Sequence, residues 1–208
     1  MKLFDVITLL EEKGENLLLL DVDYTLVIPD NIFIIRKNDD GTETKLNPEE
    51  YAKEPVTADK QKRYDFREFR DPERVYNSIK TGLPLIPNLK IVDEYIKNGW
   101  KIGILTARGM EDVVFHVLKD WLQFRDRTGN LQNVGDKLVR KLVFAINAEN
   151  KHYAGKTDFE KKANVVKQLA KEYDRIVLLD DDEKNINAVR LLGLRNVYPK
   201  LAQKMETK

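Results

Sequence analysis

The sequence predicts an α/β protein built on a parallel β-sheet. Continuous apolar runs of the kind found in strands buried on both faces begin at Asn16, Trp100, Lys141 and Arg175. Stretches with apolar residues at helical spacing separate these runs, at 88–98, 110–124 and 159–173. Alternation of this kind is typical of parallel strands that are joined by crossover helices.

Elements at the two ends of the chain complete this prediction. Apolar positions at helical spacing over 3–13, followed by Gly14, predict a short helix before the first strand. A last short strand is predicted at Val197 and Tyr198. The polar segment 200–208 is expected to fray.

The segment 27–87 does not fit the alternation. The Asn38–Gly41 cluster lies between two strand-like runs and predicts a β-hairpin. We therefore predict a core formed by residues 1–26 and 88–208, and a β-hairpin flap with a small cap insertion formed by 27–87. Insertions at the carboxyl ends of parallel strands lie where ligands bind.

The composition excludes several classes of protein. The 208 residues carry 36 Lys and Arg against 35 Asp and Glu, and 42% of them are apolar, so the chain can bury a sizeable core and is not disordered. The absence of cysteine excludes disulfides, cysteine-ligated metals and thiol nucleophiles. No apolar run is long enough to span a bilayer, and acids interrupt the N-terminal segment, so we expect a cytoplasmic protein with no membrane partner.

Acidic residues follow two of the predicted strands. Asp21 and Asp23 come directly after the first run, and Asp180, Asp181 and Asp182 end another. Bringing these charges to one sheet edge is costly unless a cation binds or some of the acids are protonated. A site made only of oxygen ligands, without His or Cys nearby in sequence, favours a hard cation, and Mg²⁺ most of all.

Two other segments carry groups suited to an anion. The strand that begins at Trp100 ends at Thr106, where a hydroxyl, the charge of Arg108 and the start of a helix outline an anion site. Lys161 and Lys162 lie in the first turn of a later helix, where cations oppose the helix dipole. Each lysine taken alone is equally well explained as a solvated surface charge.

Four segments in order, DVDYT (Asp21–Thr25), ILTARG, a lysine at a helix start and LLDDDEKNI, resemble the haloacid dehalogenase (HAD) superfamily, in particular its DxDxT-type phosphatases. The resemblance covers nearly the whole chain outside the insertion. It implies a Rossmann-like parallel sheet flanked by helices, with a small cap or flap after the first motif strand. The second aspartate of the motif, Asp23, favours phosphatases and phosphotransferases over dehalogenases.

The resemblance also implies catalytic roles. Asp21 is expected to be the nucleophile that forms an aspartyl phosphate, and Asp23 the acid and base. Mg²⁺ would be held by Asp21, the backbone carbonyl of Asp23, Asp180 and Asp181. The phosphoryl oxygens would bind Thr106 and the turn formed by Ala107 and Arg108.

The remaining motif positions are supporting residues. Thr25 and Asn185 belong to this group, whereas Asp182 is expected to be a solvated loop acid. Aliphatic residues three, four and seven positions after Lys162 favour it as the motif lysine, although counting back from the acids allows Lys161.

Within the superfamily the chain is similar to the 3′-phosphatase domain of polynucleotide kinase, but it has no kinase P-loop. The expected substrate is a phosphorylated small molecule, a nucleotide or a nucleic-acid 3′-phosphate end. Acidic neighbours can neutralise the basic residues of the insertion. The alternatives are a phosphotransferase acting on a small alcohol and a catalytically inactive HAD-like binding module. No obligate protein partner is evident, and the oligomeric state is open.

Overall fold

The computed structural model describes residues 14–54, 63–125, 128–147 and 152–204. The predicted helix over 3–13 and the end of the polar tail lie outside these ranges. The strands are β1 (Asn16–Leu20), β2 (Val27–Ile28), β3 (Ile34–Lys37), β4 (Glu43–Leu46), β5 (Tyr64–Asp65), β6 (Leu83–Pro84), β7 (Lys101–Thr106), β8 (Gln123–Arg125), β9 (Leu131–Asn133), β10 (Leu138–Ala145), β11 (Arg175–Asp180) and β12 (Val197–Leu201). The helices are α1 (Pro48–Lys53), α2 (Pro72–Lys80), α3 (Ile86–Lys97), α4 (Glu111–Trp121), α5 (Asp158–Leu169) and α6 (Glu183–Arg190), with 3-10 helices at Arg67–Arg70 and Gly135–Lys137.

A five-stranded parallel sheet forms the centre of the molecule, in the order β10-β7-β1-β11-β12. The α/β fold with a parallel sheet is thus confirmed. β1 lies in the middle, where Leu20 pairs with Ile104 on one side and with Leu179 on the other. Because both its edges and both its faces are covered, its leucines are fully buried.

Helices cover both faces of this sheet because successive side chains of a strand point to opposite sides. Leu18 and Leu20 belong to an apolar cluster that includes residues of α2, α3 and α4. Leu17 and Leu19 belong to a second cluster, with α5 and α6. Within the described residues, no helix is long and apolar enough to cross a membrane.

The segment 27–87 leaves and rejoins the rest of the chain where β2 and β6 pair antiparallel. Its main element is an antiparallel sheet in the order β4-β3-β5, in which β3 and β4 form the predicted hairpin. The rest of the segment contains more secondary structure than the sequence indicated, because it includes the helices α1 and α2. Helix α2 packs on α4. The division into core and insertion stays an interpretation.

One predicted helix ends early. The amphipathic stretch 110–124 is helical only to Trp121, and β8 follows and pairs with β9. The carbonyl of Leu122 accepts the backbone N–H groups of Val134 and Gly135, so the chain turns into a hairpin instead of continuing the helix. This long-range contact leaves no periodic signal in the sequence.

A buried asparagine fastens the loop after β1 to the end of the chain. Asn88 is fully buried at the start of α3, and its Nδ2 donates to the carbonyls of Thr25 (2.8 Å) and Gln203 (3.0 Å). Its Oδ1 accepts the backbone N–H of Gln203 at 2.9 Å. One side chain therefore joins three distant segments.

We expect Asn88→Ala to lower the free energy of unfolding by about 2–4 kcal/mol, because three hydrogen bonds are lost and a buried carbonyl loses its donor. Urea unfolding measures this loss. Asn98→Ala, which removes one exposed hydrogen bond to the carbonyl of Glu94, is the control and should cost about 0.5 kcal/mol or less. A loss below about 1 kcal/mol for Asn88→Ala would contradict the role assigned to this residue.

Candidate functional site

Two adjacent strands deliver acids to one edge of the sheet, as the sequence predicts. β1 and β11 are in register, and the backbone N–H of Asp21 donates to the carbonyl of Leu179 at 3.0 Å. Asp21, Asp180 and Asp181 each offer a carboxylate oxygen, and these oxygens lie within 4.8 Å of one another. This group is called the acid cluster below.

A buried lysine joins two members of the acid cluster. Lys162 Nζ lies 2.9 Å from Asp21 Oδ1 and 2.7 Å from Asp180 Oδ2, and only 1% of the lysine side chain is exposed. Burial lowers the pKa of Lys162, but the charges of Asp180 and Asp21 outweigh this effect and raise it above its ordinary value. The lysine is therefore charged at neutral pH.

The two lysines of the predicted motif point in different directions. Lys161 is also buried, but its Nζ donates to the backbone carbonyl of Asn147 at 2.7 Å. The interpretation of these lysines as solvated surface charges is therefore wrong, because the helix buries both. Lys162 contacts the acid cluster, as the aliphatic spacing favours, and the catalytic roles of both lysines stay predictions.

Asp180 is the most firmly held acid of the cluster. Its Oδ1 accepts from the backbone N–H of Asp182 (3.0 Å) and from Asn185 Nδ2 (2.9 Å), and its Oδ2 accepts from Lys162 and from Asn185 (3.1 Å). Asn185 thus supports the cluster through Asp180. Asp182 is exposed and caps α6 by accepting the N–H of Lys184, as expected for a solvated loop acid.

The charges in the cluster are not fully compensated. Burial raises the pKa of Asp21 well above its usual value; Lys162 opposes this shift, and Asp180 and Asp181 add to it. Burial, followed by the charge of Asp180, raises the pKa of Asp181 to about 7. A bound cation would stabilise the ionised forms of both acids.

The donor set fits a magnesium ion. Mg²⁺ binds oxygen ligands at about 2.0–2.1 Å, so ligand oxygens on opposite sides of the ion are about 4 Å apart. The three carboxylate oxygens of the acid cluster lie within 4.8 Å of one another, which is close to this separation. Asp21 and Asp181 would be the main carboxylate ligands, because the four hydrogen bonds to Asp180 occupy most of its lone pairs. Coordination by the carbonyl of Asp23 stays a prediction.

The carboxylate of Asp23 faces an arginine. It accepts from Arg108 Nε at 2.8 Å and from Arg108 Nη2 at 2.6 Å, a bidentate pair. Arg108 Nη1 donates to Ser78 Oγ (2.9 Å) and to the carbonyl of Val75 (3.3 Å), both in α2. Arg108 therefore joins Asp23 to the insertion, and its predicted contact with phosphate stays a prediction.

The turn after β7 lies at the same sheet edge. Thr106 is buried, and its hydroxyl accepts the backbone N–H of Arg108 at 3.2 Å, while Ala107 is exposed. The hydroxyl of Thr25 is buried without a hydrogen-bond partner among the described residues, and its carbonyl accepts from Asn88. The phosphate-binding role of this turn stays a prediction.

A cavity of about 230 Å³ separates the insertion from the sheet edge. Its lining includes Asp23, Phe66, Phe69, Arg108, Asn147 and Asp158. Neither Ser78 nor the Asp158 carboxylate was assigned to the site from the sequence, because no motif marks them and their neighbours are distant along the chain.

Two of the basic residues of the insertion, Arg63 and Arg67, form ion pairs within it, and a third, Arg70, lines the cavity. Arg63 lies 3.6 Å from Asp39, and Arg67 pairs with Glu43 at 2.5 Å. Lys60 and Lys62 lie outside the described residues. These pairs agree with the expectation that acidic neighbours neutralise the positive charge.

No protein-family model matches the chain, and no curated protein does. Among solved structures, the HAD domain of the effector Lem4 from Legionella pneumophila is 15% identical with a TM-score of 0.39, covering 93% of this chain and 89% of that domain. The HAD family enzyme BT-2542 from Bacteroides thetaiotaomicron, in complex with magnesium and inorganic phosphate, is 15% identical with a TM-score of 0.45, covering 93% of this chain and 97% of that one. Sequence identities and TM-scores as low as these carry no argument about the activity of this chain.

We expect the contribution of Asp181 to the stability of the metal-free protein to fall as pH rises from about 4 to about 7. Asp181 releases its proton near pH 4 when unfolded but near pH 7 when folded, so the folded state holds more protons in this window. In EDTA, Asp181→Asn should therefore become more stable relative to the wild type by roughly 2–4 kcal/mol across the window. Urea unfolding at several pH values measures this difference.

Asn98→Ala serves as the control, because it changes an exposed side chain and removes no titratable group. Its stability relative to the wild type should stay constant over the same pH range. A constant difference for Asp181→Asn as well would contradict the raised pKa.

Proposed function

We propose that this protein is a Mg²⁺-dependent phosphomonoesterase of the HAD superfamily, of the DxDxT type, that acts through an aspartyl-phosphate intermediate on Asp21. The observation that carries the proposal is the contact of buried Lys162 with both Asp21 and Asp180. It supports the proposal because the sequence motifs, which are far apart along the chain, meet in three dimensions at one sheet edge.

Asp21 is suited to act as the nucleophile. One of its carboxylate oxygens attacks phosphorus, an acyl-phosphate bond forms, and the bond between phosphorus and the leaving oxygen breaks. Water then attacks the phosphorus of the intermediate, which releases inorganic phosphate and restores the carboxylate. The charge of Lys162, 2.9 Å from Asp21 Oδ1, offsets the negative charge that gathers between carboxylate and phosphate.

Asp23 is proposed to give a proton to the leaving oxygen and later to take one from the attacking water. It lies two residues after Asp21 and lines the cavity between the insertion and the sheet edge, where a leaving group has room. Arg108 donates only, so its pair with Asp23 must loosen when Asp23 carries a proton. Arg108 is in this view a positioning residue that holds Asp23 against α2 between proton transfers.

The phosphoryl group is proposed to bind the turn after β7, where Thr106 contributes its hydroxyl and Ala107 its backbone amide. The backbone amide of Arg108 donates to the Thr106 hydroxyl at 3.2 Å and so orients it, and it would have to turn from this contact to reach the phosphoryl group. Mg²⁺ held by Asp21 and Asp181, with Asp180 and the carbonyl of Asp23 nearby, would supply further neutralisation of the phosphate charge. Thr25 and Asn185 support the loops that carry these groups.

The substrate is proposed to be a nucleotide or a nucleic-acid 3′-phosphate end. The single nucleotide is the better supported of the two, because Arg63 and Arg67 pair with acids of the insertion instead of presenting free charge. The cavity also lies below the roughly 300–1,000 Å³ of pockets for drug-sized ligands, which favours a small leaving group.

Phosphate release from 4-nitrophenyl phosphate tests the proposal. The wild type should turn over with Mg²⁺ and stop in EDTA, and Asp21→Asn should lose turnover because an amide cannot attack phosphorus. Circular dichroism and thermal unfolding establish that the variant is folded. Turnover retained by Asp21→Asn would exclude this residue as the nucleophile.

The two adjacent lysines provide a matched pair. Lys162→Ala should lower kcat by about 10²–10³, as expected when one preorganised charge is removed from a transition state. Lys161→Ala removes a neighbouring buried amine that donates to the backbone carbonyl of Asn147, and its effect on kcat should be mild. The reverse order would assign the motif role to Lys161.

A further inference from the structure

Helix α2 presents a buried hydroxyl to the arginine that pairs with Asp23. Ser78 is 2% exposed, and its Oγ accepts from Arg108 Nη1 at 2.9 Å. The same Oγ donates to the backbone carbonyl of Val75 at 2.9 Å. Because the hydroxyl hydrogen is directed at Val75, the lone pairs of the oxygen are left for the arginine. The serine is thus oriented as an acceptor for Arg108.

The helix that carries this serine is firmly placed. Val75 and Ile79 of the same helix are fully buried in the apolar cluster that α2 shares with β1. The backbone carbonyl of Ser78 accepts the N–H of Asp30 at 3.0 Å, which fastens the serine to the chain that follows β2. Ser78 is therefore a fixed point against which the arginine is held.

Arg108 carries this fixed position to Asp23 through a rigid group. The guanidinium is planar, so the Nη1 that meets Ser78 and the Nε and Nη2 that meet Asp23 move as one unit. The arginine side chain is 1% exposed, whereas 23% of the Asp23 side chain is exposed. A shift of the buried guanidinium would therefore shift the more exposed carboxylate with it.

This anchor matters most when Asp23 carries a proton. In the proposed first step an oxygen of Asp21 bonds to phosphorus, the bond from phosphorus to the leaving oxygen breaks, and the proton of Asp23 moves to that oxygen. Before the transfer, one oxygen of Asp23 directs its hydrogen at the leaving group, so the bidentate pair with Arg108 cannot be complete. The contact with Ser78 then keeps the arginine in place beside the other oxygen.

On the basis of the proposed phosphatase function, we propose that Ser78 is a positioning residue for departure of the leaving group. It fixes Arg108, and Arg108 fixes the direction in which Asp23 presents its proton. The insertion thus contributes to proton transfer through a buried hydroxyl of α2.

A matched pair of substrates tests this role. 4-Nitrophenyl phosphate releases a weakly basic phenolate that hardly needs a proton, whereas 4-nitrobenzyl phosphate releases an alkoxide that needs one. The readout is kcat/KM, because it covers the steps up to departure of the leaving group. We expect Ser78→Ala to lower kcat/KM about tenfold for the benzyl ester, a part of the roughly 10²–10⁴-fold that a general acid contributes, and by less than about threefold for the phenyl ester.

Two further variants serve as controls. Ser78→Thr keeps the hydroxyl, because a threonine in a helix can also donate to the carbonyl three residues earlier, and should keep most of the wild-type kcat/KM for the benzyl ester. Thr81→Val removes a hydroxyl at the end of α2 that bonds to the carbonyl of Asn77 and to Asp30, and should leave kcat/KM unchanged for both esters. Thermal unfolding establishes that each variant is folded.

Equal losses for the two esters, or no loss for either in folded Ser78→Ala, would overturn the positioning role and leave the proposed function standing. NMR gives a readout that needs no turnover. Rotation of the Arg108 guanidinium, followed through its side-chain N–H signals, should be faster in Ser78→Ala than in the wild type and unchanged in Thr81→Val.

The two measurements separate the possible failures. If neither ester is turned over but rotation is faster in Ser78→Ala, the proposed function fails, and with it the role in departure, while the hold of Ser78 on Arg108 stands. If neither turnover nor a change in rotation is found, both are overturned.

Discussion

The arrangement of the site depends on one buried charge, the ammonium group of Lys162. Parallel strands β1 and β11 bring Asp21 and Asp180 to the same edge of the sheet, where two buried carboxylates without a cation would repel each other. Lys162 contacts both, and the phase of α5 fixes its direction because Val166 and Leu169 pack against the sheet on the same side. Packing thus determines where the positive charge lies, and the charge allows the acids to stay buried.

A second interaction connects this edge to the insertion. Arg108 follows β7 in the core, yet its guanidinium is shared between Asp23 and the α2 residues Ser78 and Val75. Movement of α2 would therefore shift Arg108 and, with it, the carboxylate of Asp23, the residue proposed to exchange protons with the leaving group. The insertion also supplies Phe66 and Phe69 to the lining of the cavity that Asp23 and Arg108 line as well.

The sequence predicted the sheet and the acid cluster well, because long apolar runs are a strong signal for central strands and because parallel strands deliver their ends to one edge. Helical phasing favoured Lys162 over Lys161, and Lys162 is the one that contacts the acid cluster, while its role as the motif lysine stays a prediction. The pairing of Asp23 with Arg108 was not predicted, since the two residues are 85 positions apart and their contact depends on how the chain between them folds. The position of Asp158 in the lining of the cavity was not predicted either, because a carboxylate at a helix start is usually explained by the helix dipole.

The central claim is that Asp21 carries the phosphoryl group during turnover, and trapping that intermediate tests it most directly. Protein quenched during turnover of a phosphomonoester with Mg²⁺ can be reduced with borohydride, which converts an aspartyl phosphate to homoserine, and then digested and mapped by mass spectrometry. The account predicts homoserine at position 21. Modification at a different residue, or rapid turnover with position 21 unmodified in protein quenched in the steady state, would contradict it.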